Sequence, residues 1–134
     1  MSYKNFEIKL NKELVNTDEK IEDAISTIAM ASLRGIVEKT PVDKGRLKNN
    51  WITSVDRMNP TIVQGVDRTG GQSINRGATV IEGFEYKKNK MIIIQNNLPY
   101  ANRIENGYSR VKAPQGMVAV TLREVRTIYR EILI

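Results

Sequence analysis

The chain has 134 residues, 40% hydrophobic and 27% charged, with 21 Lys and Arg against 15 Asp and Glu for a net charge of +6, and it contains neither Cys nor His. That profile fits one globular unit, residues 1–134 as a single domain with one core. It excludes disulfides, thiolate zinc sites, Cys nucleophiles and imidazole relays, and no apolar run is long enough to span a membrane.

The opening residues MSYKNFEIKLNKEL carry no apolar export region, which predicts cytoplasmic synthesis, and residues 1–16 read as an N-terminal extension. A helix is predicted over residues 18–39. Ile21, Ile25, Ile28, Ser32 and Ile36 recur at helical spacing, with Ala24, Ala31 and Val37 widening the stripe. Asn16 or Thr17 can cap its start, Asp18 and Glu19 suit its first turn, and Pro41 forces Thr40 out of the helical region.

TPVDKGRLKNNW, residues 40–51, reads as a turn feeding a strand. The strand is expected from Trp51 to Arg57, with Trp51, Thr53 and Val55 on one side and Ser54 and Asp56 on the other, until Asn59-Pro60 breaks it. Trp51 is expected in the core. Residues 65–77, GVDRTGGQSINRG, hold four of the nine glycines and few apolar side chains, so a mobile loop or arm is expected there. Ile74, Ala78, Ile81 and Phe84 follow at helical intervals; VIEGFEY is equally compatible with an extended segment, and a short helix is preferred.

KKNK at 87–90 reads as a turn, and the strand after it, Met91 to Gln95, is apolar on consecutive positions and is expected to be central and covered on both faces. A second long helix is expected after Pro114, with Met117, Thr121, Val125, Ile128 and Ile132 on its buried stripe. The expected fold is α+β: a small, mainly antiparallel sheet packed against two long helices, with a mobile glycine-rich loop.

The blocks TPVDKGRLKNNW at 40–51, NNLPYANRIENGYS at 96–109 and APQGMVAVTL at 113–122 occur in that order. In this the chain resembles the HK97 gp10-like family of tailed-phage neck and tail-completion proteins, whose pattern is TPVDTGRL…W, a strand ending in NN-x-PYA, then E-x-G-x-S and AP-x-GM. Lys44 departs from the pattern, which has Thr there. The resemblance implies a non-enzymatic virion protein at the head-to-tail joint, without cofactors. It implies a ring, hexameric or dodecameric, around a channel through which viral DNA passes with non-specific contact at most. The implied partners are other copies and the neck, connector and tail-tube proteins, with no membrane and no small-molecule substrate.

Candidate contact residues fall on two loops, 40–50 and 96–116. Asp43 and Arg46 flank Gly45, where the carboxylate can close a turn or pair with the guanidinium, and Arg46 and Lys48 can instead meet a neighbouring subunit or a phosphate. Asn97 and Tyr100 have a local explanation in turn chemistry around Pro99. Arg103 joins them as an expected contact. Glu105 is expected to be partly buried and to accept backbone N–H bonds; acid–base chemistry would need a second carboxylate, for which Asp43 is the one candidate. Tyr108, Ser109, Arg110 and Lys112 form an aromatic and basic cluster suited to assembly or to nucleic acid. One Trp, five Tyr and two Phe, scattered along the chain, favour assembly. The alternative function is a small basic nucleic-acid-binding module, supported by the net charge of +6.

Overall fold

The computed structural model describes residues 6–42, 44–106 and 116–134. Helix α1, Asp18–Lys39, starts where Thr17 accepts a hydrogen bond from Lys20 N at 3.2 Å, with Asp18 and Glu19 in its first turn. It stops at an extended Thr40, whose hydroxyl donates to Ile36 O at 2.7 Å and accepts the Trp51 indole N–H at 2.8 Å. The helix end and the start of the sheet thus share one buried hydroxyl. Leu33, Ile36 and Val37 of α1 form the core with Leu47, Trp51, Ile81, Leu98 and Met117.

Strands β1 (Trp51–Val55) and β2 (Ile92–Asn96) form a two-stranded antiparallel ribbon in which Trp51 faces Asn96 and Val55 faces Ile92. Alternation gives the ribbon an inner face, with Trp51, Ile92 and Ile94 packed in the core, and an outer face carrying Ile52, Ser54, Ile93 and Gln95. Helix α2 (Gly71–Glu82) lies against α1 and β1, α3 (Ala101–Glu105) is a short turn after β2, and α4 (Val118–Ile128) crosses α1. Two 3-10 turns, Lys48–Asn50 and Arg130–Ile132, precede β1 and follow α4. Residues 6–16 are tied to the opposite end of the chain: Leu10 bridges Leu133, and Asn11 N donates to Ile132 O at 2.8 Å.

Four expectations change. The segment 65–77 is not a loop throughout, because α2 begins at Gly71. Asp67 accepts from Gln72 N at 2.8 Å, and Gly77 lets the helix sit so close that a Cβ there would collide with the Leu33 side chain and lie 2.7 Å from Thr53 Oγ1. Packing, not intrinsic propensity, makes this helix. Strand β2 is not central: among the described residues its one ladder partner is β1, and all its residues are half-buried. The second long helix is 11 residues and starts at Val118, and Ile128, expected on its buried stripe, is 70% exposed. Pro114 lies outside the described residues. The first strand stops at Val55 rather than Arg57, since Asp56 takes φ 65° and its carboxylate accepts Lys90 N at 2.6 Å and Met91 N at 3.0 Å.

Candidate functional site

The two candidate loops, some fifty residues apart in sequence, meet where Asn96 Nδ2 donates to Leu47 O at 2.9 Å. Leu47, Leu98 and Ala101 enter the same core cluster, so each loop is anchored by apolar burial on both sides of that bond. Asn96 also accepts Leu98 N at 3.1 Å, which turns the chain out of β2 toward Pro99 and Tyr100. Arg46 and Arg103 are exposed, and Tyr100 retains 37% of its surface. Lys48 is half-buried and its carbonyl accepts the Ser73 hydroxyl at 2.7 Å. Asp43, Tyr108, Ser109, Arg110 and Lys112 lie outside the described residues.

Glu105 behaves as its sequence context predicts. One carboxylate oxygen accepts Met117 N at 2.8 Å and Val118 N at 2.7 Å, the other Ala119 N at 3.0 Å, so a charged acceptor caps the free N–H groups at the start of α4. Gly116, at φ +94°, is required here: a Cβ would strike the Glu105 carbonyl oxygen and lie 2.6 Å from Oε2. Both oxygens are committed to backbone donors, which makes Glu105 a structural carboxylate in this chain. Alanine there strips the helix of its cap, so any loss of assembly in such a variant needs a folding control.

Asn50 and Gln95 were not marked by the sequence, and Asn97 was marked only as a turn and contact residue; together they form a network of amides. Asn50, fully buried, donates to Arg46 O at 2.8 Å and Val63 O at 3.1 Å and accepts Val63 N at 2.7 Å. Asn97 donates to Asn59 O and Thr61 O, both at 2.8 Å, while Gln95 accepts Asn59 N at 2.8 Å and donates to Asn97 Oδ1 at 2.7 Å. These side chains hold residues 59–63 as a strap across the outer face of the ribbon, where Ile52 is 7% exposed. The available signal was two Asn-Asn pairs, 49–50 and 96–97, at the paired ends of two predicted strands.

A second polar centre joins α2 to the same loop. Arg76 donates through Nη2 to Asn49 O at 2.6 Å and to Ser73 Oγ at 3.2 Å, and through Nη1 to Asn49 Oδ1 at 3.3 Å. Burial pulls the Arg76 pKa down, while the nearby Asp67 carboxylate opposes that shift. Asp67 itself is held below the usual carboxylate range by the Gln72 N–H and the Thr69 hydroxyl. Asp56 is held low likewise by the N–H groups of Lys90 and Met91. Among the described residues no three acidic side chains converge as metal ligands do, and no helix is long and apolar enough to cross a membrane. The arrangement presents shaped polar and aromatic surface on two braced loops, which is the chemistry of recognition.

Residues 4–107 match the protein family described as "Bacteriophage HK97-gp10, putative tail-component". No curated protein and no solved structure matches the chain.

Proposed function

Since the chain belongs to the HK97 gp10-like family of bacteriophage tail components, we propose that it acts without catalysis as a ring of identical copies in the neck of the virion. There it joins the head connector to the tail. As a tail component it works among other phage structural proteins; in this reading the neighbours are the connector and tail-tube proteins, and viral DNA passes through the lumen with no sequence-specific contact. The supporting observation is the Asn96–Leu47 bond, which merges two distant loops into one braced edge with Arg46, Tyr100 and Arg103 exposed along it. Bracing of this kind lowers the ordering cost of docking onto a neighbour.

The test is direct. Particles assembled with Arg46→Glu/Tyr100→Ala protein should accumulate as unjoined heads and tails, while the purified variant keeps the thermal midpoint of the parent. Electron microscopy of wild-type virions should place the protein at the head-to-tail joint. Joined, infectious particles lacking the protein would remove the proposal.

A further inference from the structure

Helix α4 and the N-terminal segment enclose a shallow groove of about 490 Å³, floored by Phe6, Ala119 and Leu122 and rimmed by Arg123, Arg126 and Arg130. Arg126 is fixed there by donating to Glu7 O at 2.6 Å. Arg123 and Arg130 are exposed and make no salt bridge with any described residue; Glu124, the nearest acid in sequence to Arg123, is engaged with Lys39 at 3.0 Å. Arg123 and Arg126, three apart on α4, and Arg130 just beyond it concentrate positive charge that an opposite charge would relieve, most strongly at low salt.

The beginning of α1 is the chemical complement. Glu19 and Asp23, one turn apart, are exposed and unpaired among the described residues, and just ahead of them Leu14 leaves 58% of its surface in solvent. Here too like charges sit at a repelling spacing. One surface is an apolar floor edged by cations; the other is an exposed leucine followed by a pair of anions. Carboxylates also suit guanidinium forks in geometry, each able to take two N–H donors.

We infer that the arginine-rimmed groove of α4 receives the Leu14–Asp23 segment of a second copy of this chain, with Leu14 on the apolar floor and Glu19 and Asp23 against Arg123 and Arg130. The contact pairs two unlike surfaces of one chain, so it propagates from copy to copy and closes as a ring when the rotation allows. It rests on the ring reading above only in naming a second copy as the occupant. It adds a contact to the braced loop edge rather than replacing it.

Charge reversal tests it through self-association of the purified full chain, measured by sedimentation equilibrium at low salt. Arg123→Glu/Arg130→Glu and Glu19→Arg/Asp23→Arg should each weaken association by about tenfold or more, as reversed charges across an interface do. The chain carrying all four changes should associate like the parent, because every pair is restored with its sign exchanged. Circular dichroism melts confirm that each variant is folded; none of these four residues touches the core.

Four reversed charges that fail to restore association would overturn the inference. So would single-surface variants that associate like the parent, or a parent that stays monomeric even at millimolar concentration. Loss of duplex DNA binding by Arg123→Glu/Arg130→Glu, with self-association unchanged, would reassign the groove to a polyanion. These outcomes are independent of where the protein sits in the virion, so the neck location and this contact can fail separately.

Discussion

On the inner face of the β1–β2 ribbon, Trp51 and Ile94 lie in the same apolar cluster as Leu33 and Val37; on the outer face, Asn50, Gln95 and Asn97 hold residues 59–63 by their amides. The first closure is a volume, the second a set of directed bonds to backbone. A volume loses stability in proportion to what is removed from it. A bonded strap opens locally when one amide is lost, because its outward side chains, Pro60, Thr61 and Ile62, are exposed and contribute little burial of their own. Two faces of the same two strands therefore differ in how they fail.

The largest expected effect is in the apolar core beneath the inner face. Leu33→Ala, at a position with no exposed surface, should cost about 3 kcal/mol, the usual range for a buried leucine. It should appear as a lower urea midpoint in every probe at once. Asn50→Ala should cost about 2 kcal/mol by leaving the Val63 backbone groups unpaired. Its signature is different: limited proteolysis should cut within residues 57–66 well before helical circular dichroism is lost. If that variant unfolds with no separate cleavage phase, the strap is part of the global unit and the contrast between the faces is wrong.

Smaller effects follow from acid. The Asp56 and Asp67 carboxyls sit below their ordinary value of 3.8 in the folded chain. The stability they contribute is therefore fully present above that value and is lost as pH falls through the depressed folded pKa. Thermal midpoints should decline below about pH 4, and Asp67→Asn, which can still cap α2, should decline less steeply. Equal slopes would show that the Asp67 carboxylate is not a source of the decline. The smallest effect has the opposite sign. Thr53 Oγ1 is buried on the inner face with no hydrogen-bond partner among the described residues, so Thr53→Val should raise stability, by up to about 1 kcal/mol.

The legible parts of this chain were those with a periodic apolar stripe and a local stop. Helix α1 lies on the predicted residues, 18–39, because its stripe, its Thr17 cap and Pro41 all agree. Trp51 is in the core, and Glu105 accepts backbone N–H bonds, as their neighbours implied. Helix α2 was half hidden, since Ser73 and Gly77 look like loop composition until Leu33 and Thr53 are set against them. The apolar run Ile92–Ile94 reads the same in a strand covered on both faces as in one covered by a helix and a polar strap, so the size of the sheet was not readable from it. The strap itself depends on register: only when Trp51 is paired with Asn96 do Asn50 and Asn97 come to one side.

The Glu105 carboxylate binds the N–H groups of residues 117–119, so the chain leaves one point of the core and returns to the same point. Glu105 and the start of α4 are thereby fixed to each other. Doubling the length of the segment between them adds only about 0.6 kcal/mol of closure entropy. Lengthening the chain between residues 105 and 117 should thus leave the packing beneath almost as stable as before, so long as the Glu105 bonds to the start of α4 are kept.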